Sequence, residues 1–215
     1  MHIPDGFIAP KMYIPAYAAA AGFWAYGIKR VKEKLDEEAI PYLAVLTALA
    51  FVLMMVAIPL PGGTTVHAAG IALLAILFGV WTSFISISMV LLLQSVMFGE
   101  GGITSLPINA LAMGLIGSAV AYYVFRALQG IPKKIALFAA GWFSINVAAF
   151  IAALALGAQP AIAHSTDGSP LFFPFGFHIT LPAVMVPHML IGIGEGVLTV
   201  LVYQFVAKQK QKGEA

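Results

Sequence analysis

The chain has 215 residues, of which 61% are hydrophobic and 9% charged, against roughly 25% charged in an average soluble domain. A chain this short leaves much of itself facing its surroundings, so a soluble enzyme, a disordered tail and a secreted disulfide scaffold are excluded. An all-α integral membrane protein that crosses the bilayer several times remains. The net charge of +2, from 11 basic and 9 acidic residues, is too weak to suggest nucleic acid. With no cysteine, any metal must be held by nitrogen, oxygen or thioether.

The opening Met1-His2-Ile3-Pro4-Asp5-Gly6-Phe7 has no basic n-region, and Pro4 and Asp5 fall where an apolar core would begin. It does not read as a signal peptide, and Met1 is expected to be the mature N-terminus. Apolar runs follow at 12–28, 40–60, 67–98, 104–125, 135–157 and 178–206. A spanning helix needs about 20 apolar residues, so five runs fit one crossing each. The run 67–98 is long for one helix and tight for two. The basic residues decide: Lys29, Arg30, Lys32 and Lys34, then Arg126, Lys133 and Lys134, then Lys208, Lys210 and Lys212. All three clusters lie on one side only if 67–98 crosses twice, turning near residues 79–83. The positive-inside rule then puts them in the cytoplasm. The expectation is about seven transmembrane helices with the N-terminus outside, in one transmembrane domain over 1–215.

That parity places the polar segments 1–11, 59–66, 99–104 and 158–177 on the outer face. It suggests a site that meets its ligand there, with 158–177 as a lid. Met1-His2 is a small chelator: the terminal amine, the His2 amide nitrogen once deprotonated and His2 Nδ1 lie nearly in one plane. One corner of a square stays open, the geometry favoured by nickel(II) and copper(II). His67 is the natural fourth donor. It follows Pro61-Gly62-Gly63-Thr64-Thr65 at an outer helix start, and an N-terminal segment containing Asp5 and Gly6 can fold inward to meet it.

Gly99-Glu100-Gly101-Gly102-Ile103-Thr104 allows close backbone approach. It is no phosphate loop, because no Gly-Lys-Ser/Thr follows. Asn109, about one turn into the next helix, reads either as support for a metal site or as an interhelical hydrogen bond, the latter slightly favoured. His188 and Glu195 are seven apart, on one helix face and about 10 Å apart along the axis. His188, near the outer third, reads first as a polar interhelical contact and second as a brace for the His67 region. Glu195, near mid-span, is expected to be protonated or bonded to a neighbouring helix. His164 and His178 read as loop bystanders. Gly192/Gly196, Ala16/Ala20 and Ala18/Gly22 have the spacing of close helix packing. No catalytic residue is expected, since there is neither an HExxH pair nor a GxSxG elbow.

The opening heptapeptide, the segment 61–70 with His67, Phe98-Gly99-Glu100-Gly101-Gly102-Ile103-Thr104 leading to Asn109, Met113 and Gly114, and Pro187-His188 with Glu195 occur in the order seen in the NikM/CbiM family. The chain resembles these substrate-capture (S) components of energy-coupling factor (ECF) nickel and cobalt transporters over nearly its whole length. It departs at Pro107, where Gly is expected before the Asn-containing helix. The resemblance implies a six-helix core with an extra N-terminal helix. It implies metal held by the Met1 amine, the His2 amide and imidazole, and His67. Asp5, Glu100, Thr104, Asn109 and His188 are further candidates around that site, and Glu195 is a candidate for a coupling or structural role. It implies no cofactor, only a transported Ni2+ or, second, Co2+. The implied partners are a transmembrane coupling (T) subunit, two cytoplasmic ATP-binding subunits and a small accessory membrane subunit, in the plasma membrane of a prokaryote. The rival expectation is an autonomous proton-coupled metal transporter or channel using Glu195.

Overall fold

A computed structural model describes residues 2–60 and 64–213. Within them the main helices are α1 (Pro10–Lys34), α2 (Ile40–Met55), α3 (Ile71–Phe78), α4 (Val80–Phe98), α5 (Leu106–Ala127), α6 (Lys133–Gly157) and α7 (Phe177–Gly213). A two-residue antiparallel hairpin, β1 (Ile58–Pro59) with β2 (Thr65–Val66), interrupts an otherwise helical chain. Of the expected polar turn 59–66, residues 61–63 lie outside the described set.

Among the described residues, five segments are long and apolar enough to span a bilayer: Glu37–Met55, Val80–Phe98, Leu106–Ala127, Lys133–Ile162 and Phe177–Gln209. The run 67–98 breaks at Gly79, whose φ of 84° suits a residue without a side chain. Its first half, α3, has only eight residues, about 12 Å of helix against a hydrocarbon core of about 30 Å. It is too short to span alone.

The ends of α4 and α5 shape the region that matters. Gly99 stops α4 in the left-handed conformation (φ 68°), and Gly101 (φ 77°) turns the chain again. Pro107 then sits in the first turn of α5, where its missing N–H leaves no bond unmade, so the departure from the family pattern starts the helix cleanly. From Ala110 to Gly117 the backbone of α5 widens into π-helical turns, a distortion often found at functional sites. This stretch begins immediately after Asn109.

Of the candidate spans the most buried is the one containing α6, which packs chiefly against α7 and also against α5 and α3. Without a hydrophobic driving force inside lipid, such packing relies on close van der Waals contact. A Cβ on Gly196 would lie 2.7 Å from Phe138 Cδ2, and one on Gly192 would lie 2.5 Å from Asn146 Nδ2. The Gly192/Gly196 pair therefore seats α7 on α6. On α1, Ala20 is buried while Ala18 and Gly22 face outward.

Candidate metal-binding site

Residues 2–9 are strapped into one end of the bundle rather than left in solvent, and Ile3, Ile8 and Ala9 are fully buried. In such a segment every backbone polar group needs a partner, and side chains from distant helices supply them. Asn109 Oδ1 accepts from Ile3 N at 3.1 Å, and Asn109 Nδ2 donates to Ile3 O at 3.1 Å. The Ser105 hydroxyl donates to the same carbonyl. Gln159, in a short turn (Gln159–Ile162) after α6, accepts from Ala9 N at 2.9 Å and is itself fixed by donating to Ala155 O at 2.7 Å. Asn109 thus binds the strap rather than a neighbouring helix.

Asp5 closes the same clasp from the strap side. Its Oδ1 accepts from Thr104 N at 2.8 Å and from Thr104 Oγ1 at 2.5 Å, and its Oδ2 from Ile103 N at 3.1 Å. Burial works against the Asp5 carboxylate, but these bonds outweigh it and hold its pKa below the ordinary value. Gly102 makes the approach possible, since a Cβ there would lie 2.4 Å from Asp5 N. The loop before α7 covers the strap: Phe173 N donates to Phe7 O at 3.3 Å, and the two rings pack with centroids 5.5 Å apart.

Beneath the strap His2 (2% exposed) and His67 (1%) meet, with ring centroids 4.5 Å apart. His67 Nδ1 lies 3.1 Å from Ala68 O, and His188 Nδ1 lies 2.7 Å from Val184 O. A carbonyl only accepts, so these contacts put the proton on Nδ1 and leave Nε2 with a free lone pair. The Nε2 atoms of His67 and His188 and both ring nitrogens of His2 are buried without a hydrogen bond. Buried polar atoms are normally paired, so orphan acceptors grouped at one end of a bundle point to a missing ligand. His188 is near enough to His67 for the two to interact electrostatically.

Burial pushes the His2 pKa down, against the opposing pull of Glu100, and pushes that of His67 further down. Both rings are neutral at pH 7, the form that ligates a metal. Glu100 Oε2 sits 3.5 Å from His2 Nδ1, an ion-pair distance too long for a good hydrogen bond. Among the described residues no three His, Asp or Glu side chains form a metal-holding group. Met1, named with His2 and His67 from sequence, lies outside the described residues.

Glu195 reaches the site indirectly. Its Oε2 accepts from Ala69 N at 2.8 Å, two residues beyond His67 and just before α3. The Gly70 and Ile71 amides lie close to the same carboxylate, but neither completes a bond to Oε1, which is buried and unpaired. α7 thereby holds the turn that presents His67. His164 and His178 are exposed and stand apart from the cluster. Sequence reading missed Ser105 and Gln159; the available signal was a polar side chain at the start of the apolar run 104–125 and another just past the end of 135–157.

A multi-pass helical membrane protein with unpaired imidazoles buried at one end is the class that fold and site define. Residues 2–212 match the CbiM family, described as the cobalt uptake substrate-specific transmembrane region, and the chain belongs to that family. It is 40% identical over 212 residues to a probable fused nickel transport protein, LarMN, of Lactiplantibacillus plantarum, covering 97% of this chain and 65% of that one. It is 36% identical over 206 residues to the fused nickel transport protein NikMN of Rhodobacter capsulatus, covering 93% and 59%. The chain therefore spans about three fifths of the length of these two relatives. A solved structure, the crystal structure of a truncated transition metal transporter, superposes with a TM-score of 0.94 at 36% identity, covering 97% of this chain and 99% of that one.

Proposed function

We propose that this chain, as a single transmembrane substrate-binding domain, captures Ni2+, and secondarily Co2+, as the S component of an ECF-type uptake system. The observation that carries the reading is the buried His2–His67 pair with its unpaired ring nitrogens, roofed by a strapped N-terminal segment. In this reading the Met1 amine, the His2 amide nitrogen, the His2 imidazole and the His67 imidazole form a square of nitrogens. Such a square suits nickel(II). Each orphaned buried nitrogen costs about 1–3 kcal/mol while it lacks a partner, and an incoming ion removes that penalty.

The chain binds and presents its cargo and performs no chemistry on it. The strap faces the outer side, in keeping with the basic clusters at the far helix ends. The ion sheds water, the strap closes over it, and Asp5, Thr104, Asn109 and Ser105 set the strap's depth. Ligands must be deprotonated to bind metal, so capture weakens as pH falls. Delivery across the membrane is assigned to partners: a T subunit, two ATP-binding subunits and a small accessory membrane subunit.

Calorimetric titration of the purified chain with Ni2+ tests this reading. One ion per chain should bind tightly, and His67→Ala should abolish that binding while leaving the helix content unchanged. Equal affinity in the His67→Ala chain would overturn it.

A further inference from the structure

At the end of the bundle away from the strap, a half-open cavity of about 630 Å³ lies between the end of α1, the α3–α4 break and the end of α5. α1 has 25 residues, so this end lies about 37 Å from the strap, near the level of the opposite lipid headgroups. Arg30, Lys34 and Arg126 line it, with Asp36 as the acidic residue. Asp36 is engaged in capping a short turn, accepting from Glu38 N at 3.4 Å.

The two arginines are held alike. Arg30 Nε donates to Tyr26 Oη at 2.8 Å with its guanidinium over that ring at 5.1 Å. Arg126 Nη1 donates to Tyr122 Oη at 3.2 Å with its guanidinium over that ring at 5.5 Å. Each is stapled to the tyrosine one turn before it, Arg30 on α1 and Arg126 on α5, and both line the same cavity. Such staples reduce the conformational entropy lost when a guanidinium engages an anion. Arg30 also touches Glu33 at 3.5 Å, at an exposed position where ion pairs contribute little. The remaining wall is apolar and aromatic, with Leu77, Phe78, Trp81 and Leu115.

We propose that this cavity binds the phosphate of an anionic phospholipid, with Arg30 and Arg126 gripping the phosphodiester and Lys34 the outer headgroup. A charged floor beside an apolar wall at headgroup depth fits an amphiphile better than a free ion. The lipid would bridge α1 and α5 across the α3–α4 break, at the end opposite the imidazole cluster.

Native mass spectrometry of the whole chain, released from detergent with phosphatidylglycerol, tests this. One phosphatidylglycerol should be retained where phosphatidylcholine is not, and millimolar inorganic phosphate should not displace it. The double variant Arg30→Gln, Arg126→Gln should lose retention by at least about tenfold, as expected for two charge-assisted contacts. Tyr122→Phe, which keeps the ring and removes the hydroxyl, should lose less. The double variant Lys29→Gln, Lys208→Gln makes the same charge change outside the cavity and should retain the lipid. Equal losses in both double variants, equal retention of phosphatidylcholine, or displacement by inorganic phosphate would each overturn the proposal. Unaltered Ni2+ binding by the arginine variant excludes misfolding as the cause of a loss.

Discussion

A single side chain, Asn109, holds both backbone polar groups of Ile3, accepting from its nitrogen and donating to its oxygen, each at 3.1 Å. This is the pairing of a β-ladder performed by one amide, and it fixes the peptide next to His2. Replacing Asn109 by Ala leaves the Ile3 N–H buried without an acceptor, a cost of about 1–3 kcal/mol. If strap docking and metal capture are one event, Ni2+ affinity falls about tenfold to a hundredfold. Calorimetry on Asn109→Ala checks this, and unchanged affinity would separate the strap from capture.

Gly102 gives a second, steric handle on the same contact. A methyl group at this position falls 2.4 Å from Asp5 N and 2.8 Å from Asp5 Cα, both main-chain atoms that cannot swing aside. Gly102→Ala should displace the strap and weaken Ni2+ binding by about tenfold or more, with unchanged helicity by circular dichroism. Gly22→Ala on the exposed side of α1, where a Cβ meets nothing, should change neither.

Asp5 sets an acid limit on the clasp. Its pKa in the folded chain is depressed below 3.8, so its stabilisation is complete above that value and is lost as pH falls through the lowered one. Asp5 is largely exposed, so the effect is modest. In the metal-free protein the melting temperature of the native chain should exceed that of Asp5→Asn at pH 6, and the difference should shrink once the pH drops below 3.8. A difference that stays constant well below that pH would contradict the assignment.

Glu195 separates two accounts of the buried acid. Through Ala69 it positions the turn bearing His67, and Gln can still accept that hydrogen bond where Leu cannot. Ni2+ affinity should survive Glu195→Gln and fall in Glu195→Leu. A proton-coupled autonomous transporter predicts instead that this chain alone moves metal into liposomes and that Glu195→Gln stops it.

The helices were legible because a membrane span is written locally, as a continuous apolar run, and the break at Gly79 falls within the stretch 79–83 where a turn is expected, although two full crossings of 67–98 do not follow from it. The length of α3 was not legible, since the same apolar residues suit a short buried helix as well as a span. The meeting of His2 with His67 was legible because the opening dipeptide is a chelator by its own chemistry with one corner left open. Their surroundings were not. Ser105, Asn109 and Gln159 act on backbone groups 102 to 150 positions away in sequence, and such bonds leave no periodic trace. Glu195 was read as needing a partner, but nothing local could show that the partner is the Ala69 amide.

The central claim is that the chain's first nitrogens and His67 hold the ion together. Metal titration with absorption spectroscopy, run on protein beginning at Met1 and on protein carrying one extra residue before it, tests this most directly. The extra residue removes the amine from its chelate ring with His2, so the account predicts a changed d–d spectrum and sharply weaker nickel binding. Identical spectra, stoichiometry and affinity in the two proteins would contradict it.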